Sequence, residues 1–200
     1  MSQRVVKCAV VLAALLCLNN SGCGGKKMAE QERKGAVTFK GEPLTLLGRE
    51  LKVGDKAPDF TVTGQDLSPV PFSKFKGKVC IVTSVPSLDT AVCDIMTRRF
   101  AREAVALEGD VAVLTISMDL PFAQKRWCVG AEVKDIVVLS DYKDASFGRA
   151  WGLLIKELHL DARAVYVVDK SGVITYAQLV KEVTQEPDYD AAIAAAKKCL

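Results

Sequence analysis

The chain has 200 residues, half of them hydrophobic, and a formal charge of +3. That length suits one domain with a leader and is enough to bury a core, and the apolar fraction excludes a disordered chain. Arg4 and Lys7 fall in the leader, which leaves about +1 on the body and no basic surplus for a nucleic-acid partner.

In chain order, Arg4 and Lys7 precede an uncharged apolar run from Cys8 to Leu18. This run is too short to span a bilayer and suits the core of a signal peptide. The following Ser21-Gly22-Cys23 resembles a bacterial lipoprotein cleavage site, with Cys23 as the lipidated first residue. Asn20 stands where that pattern carries an aliphatic residue, so a plain cleaved signal peptide is the alternative. The expected division is a signal peptide over 1–23, a polar tether over 24–36 and one domain over 37–200. The product is expected to be exported to the cell envelope or periplasm rather than kept in the cytoplasm, with a membrane lipid anchor if Cys23 is modified.

Val37 to Lys40 and Leu44 to Leu47 flank Gly41-Glu42-Pro43 and predict a hairpin. Phe60 to Thr63 and Lys78 to Val85 predict strands, the second β-branched and buried on both faces. Val92, Met96, Phe100, Ala104 and Leu107 recur at a helical period and predict a helix from about Ala91 to Leu107. A strand over Val111 to Ile116, a helix over Pro121 to Val129 with proline in its first turn, and a short strand over Ile136 to Leu139 follow. Ala145 to Leu153 predicts a weak helix interrupted by Gly148. Arg163 to Val168 and Val173 to Leu179 flank Asp169-Lys170-Ser171-Gly172 as a hairpin, and Tyr189 to Lys198 is a closing helix. Strands alternate with helices, so the expected class is α/β with a mixed central sheet flanked by helices and an N-terminal β-hairpin extension.

Seven cysteines are present: Cys8, Cys17 and Cys23 in the leader, Cys80, Cys93, Cys128 and Cys199 in the body. There is no C-x-x-C, and His159 is the single histidine, so no metal site and no cofactor are expected. Cys80, inside a strand, reads as a buried small hydrophobe, and Cys199 as a loose thiol near the terminus. His159 reads as a surface or half-buried residue.

Cys93 differs because it falls at the junction between an apolar strand and a helix, in the helix's first turn. Unpaired backbone N–H groups and the helix dipole favour an anion there, and the thiolate is the nucleophilic form of cysteine. Thr90 places a hydroxyl one turn earlier, and Pro86 ends the strand and shapes the loop. Attack on the weak O–O bond of a peroxide needs such a thiolate, a hydrogen-bond donor, and a fixed cation to stabilise charge on the leaving oxygen. Arginine suits the last task because its donors are planar and its charge is permanent. The residues alone do not choose which arginine, and a strand-end salt bridge is the plain reading of Arg163.

The segment P-S-L-D-T-A-V-C, Pro86 to Cys93, resembles the active-site pattern of peroxiredoxins and, in its fuller form, the thiol peroxidase branch. Lys52 to Phe60 resembles the family's entry segment, Asp119 to Cys128 its D-L-P-F-A-Q-x-R-[FW]-C segment, Ala162 to Val165 its A-R-A-V, and Thr184 to Tyr189 its T-x-E-P-D-Y. Ala101 and the lead-in Ser84-Val85 depart from the family pattern. The resemblance implies a thioredoxin-like fold and an atypical two-cysteine thiol peroxidase that reduces hydrogen peroxide and organic hydroperoxides, apolar ones favoured. It implies Cys93 as peroxidatic cysteine, Cys128 as resolving cysteine, a Cys93–Cys128 disulfide, and Thr90, Arg163 and Pro86 as the supporting site. It also implies a thioredoxin-like reductant and a homodimer. Arg98 falls where the family has an arginine, and either supports the site through an ion pair or faces solvent. Phe122 and Trp127 are expected in the core or a dimer contact, or at the border of an apolar substrate pocket. A general thiol–disulfide oxidoreductase would want adjacent cysteines, and a redox sensor would oxidise without rapid turnover.

Overall fold

The computed structural model describes residues 30–107 and 110–200. The signal peptide, the lipidation expected at Cys23 and residues 24–29 of the tether lie outside them. In chain order the elements are β1 (Glu32–Phe39), β2 (Glu42–Leu47), β3 (Thr61–Thr63), β4 (Pro69–Pro71), a 3-10 turn (Phe72–Phe75), β5 (Val79–Ser84), α1 (Ala91–Val105), β6 (Val111–Ser117), α2 (Pro121–Ala131), β7 (Val137–Ser140), α3 (Ser146–Ala150), β8 (Leu154–Ile155), β9 (Leu160–Asp161), β10 (Ala164–Val168), β11 (Ile174–Leu179) and α4 (Tyr189–Lys197). The main sheet has seven strands in the order β11-β10-β5-β6-β7-β3-β4, with β5, β6 and β7 parallel and the flanking strands antiparallel. This is the mixed, helix-flanked sheet expected from the alternation of elements. A second sheet, β1-β2-β8-β9, contains the N-terminal hairpin.

The central strands are apolar on both faces because both faces are covered. Val79 and Ile81 of β5 pack with Met96 and Phe100 of α1 and with Ala192 and Ile193 of α4. Cys80 and Val82, on the opposite face by strand alternation, pack with Phe147 and Trp151. Trp151 is fully buried, and its indole N–H donates to the carbonyl of Pro58 at 3.0 Å.

Several elements differ from expectation. β1 begins at Glu32, so Glu32–Ala36 belong to a strand rather than to the tether. Arg33 anchors that stretch by donating to the carbonyls of Gly48 and Gly152. β10 begins at Ala164, one residue after Arg163, and the helix expected over Ala145 to Leu153 is shortened to α3. The hairpin turn of β1 and β2 uses Lys40 and Gly41, both at positive φ. Glu182 locks the turn by accepting from Lys40 N, Gly41 N and Thr38 Oγ1. The Thr184 hydroxyl, then the Thr38 hydroxyl and the Gly41 amide, hold its carboxyl down at about 2.

Gly152, at φ +66°, sits where a Cβ would come within 2.1 Å of the Arg49 carbonyl oxygen. Neither backbone segment can yield, so Gly152→Ala is expected to cost at least ~2 kcal/mol in urea unfolding.

Asp161 is fully buried, and neither carboxylate oxygen has a hydrogen-bond partner among the described residues. Burial, with a smaller repulsion from Asp141, pushes its carboxyl well above the usual range. Asp141 accepts from the amides of Phe147 and Gly148, yet burial pushes it up to about 6. Asp161 therefore holds its proton more tightly folded than unfolded. Its contribution to stability is full below about pH 4, the ordinary carboxyl value, and is lost as pH rises toward the elevated folded value. Asp161→Asn removes that titration. It is expected to flatten the fall in stability and to leave the protein ~1–3 kcal/mol more stable than the parent at pH 8 in urea unfolding.

Candidate active site

The site lies at the C-terminal ends of the parallel strands, where loops leave the sheet toward their helices. The ladder of β5 with β6 runs one residue past the strand, with Val85 N donating to Ile116 O at 3.0 Å. Pro86, buried and without an N–H to give, follows and ends it. The chain then turns through Ser87 to Thr90, closed by Thr90 N donating to Ser87 O at 3.1 Å.

Asp119, just beyond β6, fixes this loop. Its carboxylate accepts from Ser87 Oγ and Leu88 N, both at 2.7 Å, and from Ser117 Oγ at 2.8 Å. Ser140 Oγ, at the end of β7, donates to the Asp119 backbone carbonyl. One residue thus ties the loop before Cys93 to the two strand ends beside it. An aspartate at a strand end just before a helix-starting Leu-Pro was the available signal for this role, but no function was read from it.

Thr90 is the N-cap of α1, and its hydroxyl makes no capping bond. It lies 2.8 Å from Cys93 Sγ and 3.0 Å from Ser87 O. A hydroxyl has one proton, so it can donate to only one of these at a time. With a thiol at Cys93, the S–H can donate to Thr90 Oγ1 while the hydroxyl donates to Ser87 O. With a thiolate, the hydroxyl turns to the sulfur.

Cys93 is fully buried at the third position of α1. Arg163 approaches it from the segment ahead of β10, with Nη2 at 3.3 Å from Cys93 Sγ. Arg163 is 2% exposed, and its guanidinium is held by Nε donating to Val183 O at 3.0 Å and Nη1 at 3.3 Å from Met96 Sδ. Among the described residues its hydrogen-bond partners include no carboxylate. A buried cation so placed is matched by negative charge on the sulfur or on an oxygen bound beside it. The salt-bridge reading of Arg163 is thereby replaced.

Cys128 lies half-buried on α2, against the same apolar cluster that encloses Cys93. Gln65 Nε2 is 3.2 Å from its sulfur. Burial pushes the Cys128 thiol up, and the Gln65 hydrogen bond acts in the opposite direction. Both cysteines are free thiols, and each sulfur has its own partners. The helices carrying them are joined through the neighbouring residues. Asp94 accepts from Trp127 Nε1 at 2.9 Å and from Arg98 Nε at 2.9 Å, and Arg98 Nη1 donates to Ala131 O at 3.0 Å. Arg98 therefore forms the ion pair that was one of its two readings.

Thr90, Cys93 and Arg163 converge in one place, Pro86 begins the loop that leads to them, and Cys128 lies on the adjoining helix. Trp127 is half-buried, whereas Phe122 is 65% exposed and is not a core residue. His159 is exposed at positive φ in the β8–β9 turn. Cys80 is buried as expected, while Cys199 is half-buried with its sulfur 3.3 Å from Thr175 Oγ1. Gln65 and Asp94 were missed, and nothing local in the sequence marks them. Among the described residues no three His, Cys, Asp or Glu side chains converge as metal ligands.

The redoxin family matches residues 52–193. A thiol peroxidase of Halalkalibacterium halodurans is 56% identical over 165 residues, covering 82% of this chain and 99% of the relative. The chain belongs to the thiol peroxidase family. A thiol peroxidase of Bacillus subtilis is 53% identical over 161 residues, covering 80% of this chain and 96% of the relative. The crystal structure of a peroxiredoxin-like protein from Aquifex aeolicus superposes with a TM-score of 0.78 at 39% identity, covering 85% of this chain and 99% of that one. Both the family and the thioredoxin-like fold expected from the motifs are thereby established. As a thiol peroxidase the chain is an enzyme of thiol-dependent peroxide reduction.

Proposed function

We propose that Cys93 is the peroxidatic and Cys128 the resolving cysteine of an atypical two-cysteine cycle acting on hydrogen peroxide and organic hydroperoxides. The Cys93 thiolate attacks the terminal peroxide oxygen, the S–O bond forms and the O–O bond breaks. Sulfur is oxidised to a sulfenic acid, and the leaving oxygen takes a proton to become water or an alcohol. Arg163 faces the oxygen on which negative charge develops, and Thr90 supplies a donor that can follow the charge from sulfur to oxygen. The Cys128 thiol then condenses with the sulfenic acid, releasing water and forming the Cys93–Cys128 disulfide. A thioredoxin-like dithiol reopens it by exchange and leaves as its own disulfide.

The observation that carries this reading is the buried Arg163, held by neutral partners, with Nη2 at 3.3 Å from Cys93 Sγ in the first turn of α1. The leader supports export to the cell envelope or periplasm, with Cys23 as a lipid anchor, and an extracytoplasmic dithiol donor would then be required. We also assign the chain a homodimeric assembly on the strength of its family. The test is one equivalent of cumene hydroperoxide added to reduced protein, followed by mapping of the product by mass spectrometry. Rapid formation of a Cys93–Cys128 disulfide is the expected result. Slow oxidation scattered over Cys80, Cys128 and Cys199 would overturn the cycle.

A further inference from the structure

The two cysteines of the site stand in opposite electrostatic settings. Cys93 occupies the first turn of α1 with a guanidinium beside it. Cys128 falls in the last turn of α2, where Val133 N donates to Cys128 O at 3.2 Å as the helix ends. The negative end of a helix dipole disfavours a thiolate there, and burial acts in the same direction. Among the described residues no lysine or arginine donates to the Cys128 sulfur, and its side-chain partner is Gln65 Nε2 at 3.2 Å.

Gln65 is half-buried and reaches the sulfur from the tight turn between β3 and β4. Gly64 N donates to Ser68 O at 2.8 Å and Leu67 N to Gly64 O at 3.0 Å, while Asp66 Oδ1 accepts from Ser68 Oγ at 2.6 Å. β3 pairs with β7 at Thr63 and Ser140, and Ser140 Oγ donates to the carbonyl of Asp119, which fixes the loop before Cys93. The amide is therefore presented to Cys128 by a braced turn that is tied to the same strand end as the Cys93 loop.

The attacking form of a cysteine is the thiolate, so resolution of a sulfenic acid asks Cys128 to carry negative charge in a place that opposes it. We propose, resting on the two-cysteine cycle above, that Gln65 is the positioning residue of the resolving step: its amide N–H donates to Cys128 Sγ and steadies negative charge there as that sulfur attacks the sulfenic sulfur of Cys93. Cys128 gives up its proton, the S–S bond forms, the S–O bond of the sulfenic acid breaks, and the departing hydroxide takes a proton to become water. An uncharged donor suits this step. A cation would keep Cys128 ionised and open to peroxide in its own right, whereas an amide lets it rest as a thiol and eases ionisation when the sulfenic acid is there to attack.

The test has two arms, both on the full chain. In a Cys93→Ser background, alkylation of Cys128 by iodoacetamide is followed against pH by peptide mass spectrometry. Gln65→Leu, which keeps bulk and removes the donor, is expected to move the midpoint up by at least about 0.5 pH unit, and Gln65→Lys to move it below the parent's. With Cys93 in place, one equivalent of cumene hydroperoxide and quench-flow resolve sulfenic acid from disulfide. A half-unit rise cuts the thiolate about threefold at neutral pH and returns about 1.7-fold in nucleophilicity, a net loss of about twofold. Gln65→Leu is therefore expected to pass from sulfenic acid to disulfide at least about twofold more slowly than the parent, and Gln65→Lys at least as fast as the parent. An unmoved alkylation midpoint in Gln65→Leu, or passage to disulfide at the parent rate, would overturn the proposal. A parent that forms no Cys93–Cys128 disulfide would overturn the two-cysteine cycle before any substitution of Gln65, and this step with it.

Discussion

Arg163→Gln is expected to lower the rate constant for oxidation of Cys93 by peroxide about 10³-fold, measured by rapid mixing and acid quench with mass detection. Removing a single preorganised donor from a developing oxyanion costs about 10²–10³-fold in other enzymes. Here the donor also carries a charge hydrogen-bonded to a fully buried sulfur. Arg163→Lys keeps the charge and is still expected to lose about 10²-fold. An ammonium lacks the planar fork that lets one side chain engage Val183 O, Met96 Sδ and Cys93 Sγ together. Thermal unfolding separates the chemical loss from a folding loss, because Nε is also part of the packing around Val183. A variant that melts like the parent but oxidises slowly assigns the effect to the site. A glutamine variant that oxidises at the parent rate would remove Arg163 from the mechanism.

How far Arg163 could be read in advance shows where sequence reasoning stops. Cys93 and Thr90 are three residues apart and share one helical turn, so their contact follows from local geometry alone. Arg163 reaches Cys93 across 70 residues, and that distance is closed only by the antiparallel pairing of β10 with β5. Only resemblance to a family could select it, and the same holds for Cys128. Gln65 had neither kind of signal, since it lies in a turn between β3 and β4 and meets Cys128 across 63 residues.

The fold divides along the same line. β5, β6 and β10 were legible because continuous apolar runs record burial on both faces, and α1 because Met96 and Phe100 recur at its period. β8 and β9 have two residues each, too few for any period, and exist through pairing with β2 and with each other. β4 is Pro69-Val70-Pro71, which reads as a break, and the structure accommodates both prolines by placing the strand at the sheet's edge. Glu32–Ala36 carries charge and glycine like a linker, yet joins β1 because Arg33 finds two carbonyls that the sequence gives no reason to expect nearby.

Cys93→Ser and Cys128→Ser are expected to fail at different steps. Serine at 93 removes the thiol that faces Arg163, and a hydroxyl is not ionised at neutral pH. Peroxide consumption should fall to the background of the other thiols, a loss of at least about 10⁴-fold at the chemical barrier, or ~5 kcal/mol. Serine at 128 leaves Thr90, Cys93 and Arg163 untouched, so the first equivalent of peroxide should oxidise Cys93 within about twofold of the parent rate. The sulfenic acid is then expected to lack the partner proposed for it. Steady-state turnover with a thioredoxin-type donor should drop at least about 100-fold, and excess peroxide should carry Cys93 on to sulfinic acid. Quench-flow with mass analysis distinguishes the steps: no sulfenic acid in the first variant, accumulation without disulfide in the second. Full turnover in Cys128→Ser would mean that the sulfenic acid is resolved by another thiol. In that case the contacts of Cys128 with Gln65, and of its neighbour Trp127 with Asp94, would serve packing rather than the redox cycle.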